Sequence, residues 1–308
     1  SWERVAHALA SAESEPDLYA QRFLAILDDF RFLPGGRILA GAGSGRDVTL
    51  FNCFVMGLIE DSLDGIFSAL RESALTMQMG GGIGLDFSTL RPAGVRTRRV
   101  GVIASGPISF MHVWDAMCAT LVSSGNRRGA MMATLRCDHP DIENFITAKQ
   151  EPGVLTHFNL SVQVTDDFMQ AVQNDADWPL LFPADSLGEE SVGLPVMQSG
   201  WPGQEGVVAC RVMRTIRACE LWEKITQAAY YTAEPGVLFV DQINRENNLA
   251  WKEQISATNP CGEIPLPPWG GCDLGSINLT RFIKAPFDKG AAIDWEGLGQ
   301  TVHDAVRL

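Results

Sequence analysis

The sequence predicts an α/β fold built on a mostly parallel sheet. Short apolar runs alternate along the chain with helical patterns of about 10–20 residues, which is the order that parallel βαβ units produce. Hydrophobic residues make up 46% of the 308 residues, which suffices for a large buried core. We therefore expect one large domain, or a core domain that carries a smaller appendage.

The first elements predicted are a helical region and two strands. Residues 1–33 have a helical pattern that ends in a glycine-rich stretch. Residues 48–56 (VTLFNCFVM) predict a buried strand with Cys53 at its centre. Residues 80–90 (GGGIGLDFSTL) predict the next strand, after an intervening helix.

That intervening helix, residues 60–79, has a capping group and an apolar face. Asp61 or Ser62 is placed to accept a hydrogen bond from the first turn. Spacings of three and four residues put five apolar side chains on one face: Leu63, Ile66, Phe67, Leu70 and Ala74.

The rest of the chain continues the alternation. Helical patterns cover Pro107 to about Val122, 140–149 and 220–236. Strand patterns cover 131–137 and 237–243. Residues 175–206, rich in Pro, Gly and acidic side chains, predict an insertion or a long surface connection.

Composition and charge disfavour several classes of function. The formal net charge is −13, from 24 basic and 37 acidic residues, which disfavours a nucleic-acid surface but leaves local nucleotide sites open. No run approaches the roughly 18–20 apolar residues of a membrane-spanning helix, and no signal-peptide pattern is visible at the start. Seven widely spread cysteines are typical of a reducing compartment. We expect a soluble, cytoplasmic protein without nucleic-acid or membrane partners.

Two further motifs favour structural roles. GGGIGLDF (80–87) lacks the third glycine of a dinucleotide fingerprint and follows a helix, so we expect its glycines to let backbone approach a ligand or a neighbouring strand. Cys137, Asp138 and His139 could ligate a metal, but no second group of ligands accompanies them, and they precede a predicted helix as capping residues do. No metal site is predicted.

The strongest chemical signal is the proline-rich stretch NPCGEIPLPP (259–268). Four prolines in ten residues exclude a helix or a strand interior and predict a stiff loop. Asn259, Cys261 and Glu263 alternate, so in an extended loop all three side chains would project to one side. Cys272 follows Cys261 by eleven residues, too far for a redox Cys-x-x-Cys pair, and no second pair completes a zinc site. A thiol between an amide and a carboxylate suits hydrogen-atom or proton chemistry on a hydroxylated substrate.

These residues resemble the large catalytic chain of ribonucleotide reductases. NPCGE and CDLGSINL, with FNCFV far upstream, are the most specific matches. The similarity continues through EDSLDGIF, GGGIGLDFSTLRPAG, ASGPISFMHVWD, GNRRGAMMATLRCDHPDIENFITAK and HFNLSVQVTDDFM. Pro260 and Gly262, on either side of the cysteine, resemble the adenosylcobalamin-dependent class, since relatives with a separate radical subunit usually carry bulkier residues there.

The resemblance implies a fold and a division of the chain. The family's fold is a ten-stranded α/β barrel in which a finger loop carries the radical cysteine to the centre. Residues 1–47 would form a helical N-terminal region with a substrate loop, and residues 48–308 the first part of the barrel, with the finger loop at 255–280. Because the chain stops at Leu308 inside an amphipathic helical pattern, we expect an N-terminal fragment of the catalytic chain, inactive by itself.

The resemblance also implies a thiyl-radical mechanism. Cys261 would be the thiyl radical that abstracts the 3′-hydrogen of the ribose, Glu263 would take the 3′-hydroxyl proton, and Asn259 would hydrogen-bond the sugar hydroxyls. Cys53 would protonate the departing 2′-hydroxyl, and Cys53 and Cys272 would together supply two electrons and end as a disulfide. Adenosylcobalamin would generate the radical, and a thioredoxin-type reductant would restore the thiols.

Nucleotide-binding residues are implied in two places. The substrate, a ribonucleoside di- or triphosphate, would contact Asn52, Gly36 and Gly82. Because GGRIL replaces the Ser-Pro-Thr of most relatives in the substrate loop, only the position of Gly36 carries over. A deoxynucleoside triphosphate effector would bind near two specificity loops, 91–101 and 123–131. Its expected contacts are Asp61, Ser62, Arg91 and Arg127. A homodimer is the expected assembly.

Two other interpretations stay open. A non-catalytic nucleotide- or effector-binding fragment would keep Asp61 and Arg91 without the chemistry. Each of these residues by itself also has an ordinary structural role, as a helix cap or as a solvated loop charge. Another kind of glycyl-radical enzyme would need a glycine loop near a C-terminus that residues 1–308 do not contain.

Overall fold

The computed structural model describes residues 2–96, 103–121 and 129–308. The chain divides into two compact units, one of residues 1–52 and 272–308, the other of residues 53–271. The larger unit, 53–271, contains a parallel sheet, and the smaller unit is mainly helical.

The described residues form ten α-helices and fifteen strands. The helices are α1 (Trp2–Ala10), α2 (Pro16–Asp28), α3 (Gly36–Gly41), α4 (Leu63–Gln78), α5 (Gly106–Thr120), α6 (Ile142–Thr147), α7 (Asp166–Gln173), α8 (Ala218–Thr232), α9 (Val240–Arg245) and α10 (Trp295–Arg307). The strands are β1 (Phe32–Pro34), β2 (Cys53–Val55), β3 (Gly82–Asp86), β4 (Met131–Arg136), β5 (Phe158–Val164), β6 (Asp177–Pro183), β7 (Val196–Gly200), β8 (Val207–Arg217), β9 (Gly236–Phe239), β10 (Ala257–Thr258), β11 (Pro265–Leu266), β12 (Gly271–Cys272), β13 (Gly275–Ile277), β14 (Ile283–Lys284) and β15 (Ala292–Ile293).

The predicted alternation is confirmed by the parallel sheet of the larger unit. Strands β2, β3, β4, β5 and β9 lie side by side in that order, and every neighbouring pair is parallel. The register aligns Gly84 with Met132, and Met132 with Asn159. Helices lie in the connections between consecutive strands, as parallel pairing requires. The α/β fold class is therefore confirmed.

The two faces of this sheet differ in composition. On one face, alternate side chains of β3, β4 and β5 pack into the main core, among them Leu85, Ala133 and Leu160. The other face carries glycines and mostly polar side chains: Gly82, Gly84, Asp86, Met132, Thr134, Asn159, Ser161 and Gln163. A face of this kind does not suit an apolar layer, and a hairpin lies on it instead.

Helix α4 begins where the sequence predicted but buries a different set of side chains. Ser62 is the cap, because its Oγ accepts a hydrogen bond from a first-turn N–H at 3.0 Å. The buried side chains are Ile66, Ala69, Ser73 and Met77. Leu63 and Phe67, which share the predicted apolar face, are 67% and 52% exposed. Ser73 anchors the helix, since the Trp114 Nε1–H donates to its Oγ at 3.0 Å.

Residues 175–206, predicted to be an insertion or a long surface connection, contain β6 and β7, which pair antiparallel with β8 in the order β6-β8-β7. Leu181, Phe182, Leu187 and Trp201 of this region form a small core with Val95 and Cys210. The predicted strand 237–243 ends at Phe239, where α9 takes over. GGRIL contributes to α3 and is not an open loop.

The smaller unit confirms the helical pattern of residues 1–33, which contain α1 and α2. Helix α10 packs against α2, and β1 pairs antiparallel with β13. One cluster of buried apolar side chains forms the core of this unit: Val5, Ala6, Ala10, Ala20, Phe23, Ile26, Leu27, Phe32, Ile38 and Ala42. An ion pair joins Arg307 to Glu13 at 2.5 Å. Among the helices described in both units, none is long and apolar enough to cross a membrane.

Candidate active site

The proline-rich segment folds into a hairpin, called here the finger hairpin (257–266), whose arms β10 and β11 pair antiparallel. The Gly262 N–H donates to the Asn259 carbonyl at 3.1 Å and closes a turn at the tip. Pro260 takes the second position of this turn, which suits its fixed φ. Gly262 has a φ of +85°, a conformation that favours glycine. The expectation of an extended loop is therefore wrong, because proline and glycine chemistry makes the tip a tight turn.

Asn259 clamps the two arms of the finger hairpin and is fully buried. Its N–H donates to the Ile264 carbonyl at 3.2 Å, and its Oδ1 accepts from the Ile264 N–H at 3.0 Å. Its buried Nδ2 has no hydrogen-bond partner among the described residues. Such a donor costs about 1–3 kcal/mol if it stays unsatisfied, and a hydroxyl of a bound substrate would satisfy it. Cys261 and Glu263, in contrast, are exposed at the tip.

Two glycines of β3 make room for the finger hairpin. An ideal Cβ on Gly84 would lie 1.7 Å from the Thr258 carbonyl oxygen, so no larger residue fits without movement of backbone. An ideal Cβ on Gly82 would lie 2.8 Å from Pro260 Cγ and 3.4 Å from the Cys53 sulfur. The prediction that these glycines let a backbone segment approach is confirmed for Gly84. Gly82 lies between Cys53 and the tip of the hairpin.

Polar side chains of β4 and β5 hold the finger hairpin in register on the sheet. Thr134 Oγ1 donates to the Ser256 carbonyl at 2.9 Å, and Gln163 Nε2 donates to Thr134 Oγ1 at 3.1 Å. Nearer the tip, Asn159 Nδ2 donates to the Pro260 carbonyl at 2.7 Å. Sequence reasoning missed these residues. The signal that could have found them is the placement of polar side chains at alternate positions of otherwise apolar strands.

A buried carboxyl, Asp86, lies on the same face of the sheet. It is 4% exposed, and its Oδ1 accepts from the Ser88 N–H at 2.9 Å. Its Oδ2 has no hydrogen-bond partner in the part of the chain that the structure describes. Burial raises the pKa of Asp86, and the polar groups of Ser88, Ser256 and Gln163 oppose this only in part. Asp86 is thus protonated at a higher pH than a surface carboxyl.

The remaining residues predicted to meet substrate lie in the smaller unit. The Asn52 N–H donates to the Cys272 carbonyl at 2.9 Å, so these two are neighbours. Asn52 Oδ1 is buried and has no hydrogen-bond partner among the residues described. Gly36 begins α3 with open space around its Cα, since an ideal Cβ there would meet no atom within 4 Å. Cys53 belongs to the larger unit and Cys272 to the smaller one, and their redox pairing stays a prediction.

The structure brings together two of the residues expected to bind the effector. Arg91 Nε lies 2.8 Å from Asp61 Oδ2, the Arg91 N–H donates to Oδ1 at 3.2 Å, and Nη2 donates to the Asp61 carbonyl at 3.0 Å. Burial raises the pKa of Asp61, although the contacts with Arg91 oppose the shift. Arg127 and parts of both predicted specificity loops, residues 97–101 and 123–128, lie outside the described residues.

Cys137, Asp138 and His139 have structural partners. Asp138 accepts from Arg136 Nε at 2.8 Å, and burial raises the pKa of the Cys137 thiol, which disfavours the thiolate that a metal needs. His139 uses both ring nitrogens for backbone hydrogen bonds, at 2.9 and 3.0 Å, and burial lowers its pKa to about 4. Over the described ranges, no three or more His, Cys, Asp or Glu side chains are grouped to hold a metal ion.

Comparison with known proteins identifies one family. The profile described as "Ribonucleotide reductase, barrel domain" matches residues 51–308. Over 99% of its length the chain is 39% identical to the vitamin B12-dependent ribonucleoside-diphosphate reductase of Mycobacterium tuberculosis (strain CDC 1551 / Oshkosh), of which it covers 41%. It is 37% identical to the protein of the same name from Thermoplasma acidophilum, over 94% of this chain and 34% of that protein.

A more distant relative is the ribonucleoside-diphosphate reductase subunit alpha of Chlamydia trachomatis, at 27% identity over the whole of this chain and 30% of that protein. The chain therefore spans about two fifths or less of the length of these curated relatives.

Proposed function

This chain belongs to the ribonucleotide reductase family, and from that premise we propose that it carries the radical-bearing part of a catalytic chain that reduces ribonucleotides to 2′-deoxyribonucleotides. The match to the family's barrel domain confirms the predicted fold class. One observation carries the proposal: the finger hairpin presents the exposed Cys261 and Glu263 on a turn that the buried Asn259 clamps.

The side chains of the larger unit divide the first half of the chemistry among them. Cys261, as a thiyl radical, takes the 3′-hydrogen of the ribose, so that an S–H bond forms and a C–H bond breaks. Glu263 accepts the 3′-hydroxyl proton, and Asn259 Nδ2, which is buried and without a partner among the described residues, donates to a sugar hydroxyl. Cys53 gives its proton to the 2′-hydroxyl, which leaves as water.

The second half of the chemistry needs two electrons. Cys53, which has already given up its proton, and Cys272, which releases its own in this step, supply them together and become a disulfide. Glu263 then returns its proton to the 3′-oxygen, and Cys261 returns its hydrogen atom to the 3′-carbon and is a radical again. A thioredoxin-type dithiol reduces the disulfide for the next cycle. The two electrons and two protons balance the replacement of the 2′-hydroxyl by hydrogen.

Adenosylcobalamin is the proposed source of the radical, because the relatives from M. tuberculosis and T. acidophilum are named vitamin B12-dependent. When bound, this cofactor supplies a radical that takes the hydrogen atom of a thiol. The tip of the finger hairpin fits such a group: the Cys261 thiol is exposed, and Gly262 beside it has no side chain. An ideal Cβ on Gly262 would meet no atom closer than Met132 Cε at 3.7 Å. Of the described residues, Cys261 is the one that would face the cofactor.

Substrate, effector and assembly extend the same proposal. The names of the relatives support ribonucleoside diphosphates as substrates, with Asn52, Gly36 and Gly82 as contacts. A deoxynucleoside triphosphate effector would bind at four residues: Asp61, Ser62, Arg91 and Arg127. A homodimer is supported by the exposed apolar side chains of Leu63 and Phe67 on α4, because a second copy could cover them.

Replacement of the proposed radical residue tests the function. In the full-length chain, Cys261→Ser should abolish nucleotide reduction while thermal unfolding stays unchanged, because an O–H bond is too strong for the hydrogen exchange and the side chain is exposed. Cys219→Ser is the matched control, since Cys219 is a partly exposed cysteine on α8, outside the finger hairpin. Reduction by Cys261→Ser above the background of the assay would contradict the proposal, as would loss of activity in both variants.

A further inference from the structure

The polar face of the sheet singles out Asn159, on β5, as the residue that touches the backbone next to Cys261. Its Nδ2 donates to the Pro260 carbonyl at 2.7 Å, and that carbonyl belongs to the peptide bond that joins Pro260 to Cys261. Together with φ and χ1 of Cys261, the direction of this peptide plane determines where the Cys261 thiol lies.

The rest of the tip leaves this orientation weakly determined. Asn259 fixes the shape of the turn, but its hydrogen bonds join only parts of the finger hairpin to one another. Beyond Pro260 the tip is loosely packed. Cys261 is exposed, and an ideal Cβ on Gly262 would meet no atom closer than Met132 Cε at 3.7 Å. The ring of Pro260 rests on Gly82, a contact that resists approach to the sheet but not rotation away from it.

We propose that Asn159 is a positioning residue for the reaction, and that its hydrogen bond to the Pro260 carbonyl aims the Cys261 thiol at the substrate. This inference rests on the function proposed above. Asn159 itself touches no reacting atom. Its side chain is exposed and stands outside the apolar cores, so its replacement removes a directional contact and leaves core packing intact.

The variant Asn159→Asp tests the inference in the full-length chain, because it has almost the same shape and replaces the donor by an acceptor that repels the Pro260 carbonyl. Asn144→Asp is the matched control, with the same charge change at an exposed position of α6. We expect kcat to fall about 10- to 100-fold in Asn159→Asp, because a displacement of the reacting group by about 1 Å has an effect of this size. The KM should stay within about twofold of the wild-type value. The control should keep both constants.

Amide hydrogen exchange gives a second measurement that needs neither cofactor nor turnover. In Asn159→Asp, the Gly262 and Ile264 amides of the finger hairpin should exchange about tenfold faster, because the tip loses its tie to the sheet. The amides of β4 and β5 should be unchanged. If Asn159→Asp does not fold, Asn159→Ala replaces it with the same expected results.

Three outcomes would overturn the inference: an unchanged kcat, unchanged exchange in the finger hairpin, or faster exchange throughout β4 and β5, which would mean a general structural role. Failure of the underlying function is distinguishable from these, because it would appear as turnover in Cys261→Ser. The exchange measurement on Asn159→Asp would still report whether Asn159 holds the tip.

Discussion

Replacement of Gly84 by alanine should lift the finger hairpin from the sheet. The new Cβ would lie 1.7 Å from the Thr258 carbonyl oxygen and 2.9 Å from the Thr258 carbonyl carbon. Both atoms are backbone, so no side-chain rotation relieves the overlap. Real Cβ atoms essentially never approach other atoms closer than 3.0 Å, and the hairpin must therefore retreat by about 1.3 Å, from 1.7 Å to at least 3.0 Å.

A shift of that size breaks the hydrogen bonds that hold the hairpin in register. The Thr134–Ser256 bond of 2.9 Å and the Asn159–Pro260 bond of 2.7 Å would both stretch beyond the range of a hydrogen bond. Overpacking costs about 1–3 kcal/mol, and each lost bond costs about 1 kcal/mol more. The displaced thiol should reduce kcat by about 100-fold.

The assay compares turnover and thermal unfolding of full-length wild type, Gly84→Ala and Gly200→Ala. Gly200 is also a strand glycine of the larger unit, but an ideal Cβ there would meet no atom within 4 Å, so the control should be unaffected or slightly more stable. A wild-type kcat and a wild-type unfolding midpoint in Gly84→Ala would contradict this prediction, because they would mean that the hairpin does not rest on β3.

Two further predictions concern residues outside the finger hairpin. Arg91→Ala should weaken binding of a deoxynucleoside triphosphate at least about tenfold by calorimetry, since a charge-assisted bond is worth roughly 1.5–3 kcal/mol, whereas Arg214→Ala, which removes an exposed ion pair with Glu143, should not. Equal affinities would make the Arg91–Asp61 pair structural. Burial lowers the pKa of His139 to about 4, so its imidazole is neutral in the folded protein. Its contribution to the free energy of unfolding is complete above about pH 6.5 and declines as the pH falls towards 4, because the unfolded state then binds a proton that the folded state does not. From pH 7 to 5, the unfolding free energy of wild type should fall by about 2 kcal/mol more than that of His139→Gln in denaturant titrations; parallel curves would contradict this.

The architecture was predictable where its signal is local. Apolar residues at every second position indicate a strand, and apolar residues at every third or fourth position indicate a helix. Glycine and proline mark where these elements end, and the alternation of strands and helices along the chain then predicts the parallel sheet. The antiparallel sheet of β6, β7 and β8 was missed because it depends on pairing between distant segments, and its sequence is dominated by Pro, Gly and acidic residues. The buried face of α4 differs from the predicted one: it includes the polar Ser73, whose Oγ accepts a hydrogen bond from Trp114, a residue far along the chain.

The site shows the same division. Asn259, Cys261 and Glu263 were predicted as site residues because their chemistry is concentrated in five consecutive residues of one motif. Asn159 and Thr134 were not singled out, because polar side chains that alternate along β4 and β5 do not by themselves show which segment lies on that face of the sheet. The roles of Asn159 and Thr134 appear only in the structure, where the finger hairpin lies on the face of the sheet that carries both side chains.

The claim that Cys261 carries the radical is tested most directly by electron paramagnetic resonance of the rapidly frozen full-length chain with adenosylcobalamin, substrate and effector. The protein is prepared once with ordinary cysteine and once with cysteine deuterated at Cβ, because an unpaired electron on sulfur couples to those hydrogens. We expect a radical signal that narrows on deuteration and is absent in Cys261→Ser. A signal of full intensity in Cys261→Ser, or one that deuteration leaves unchanged, would contradict it.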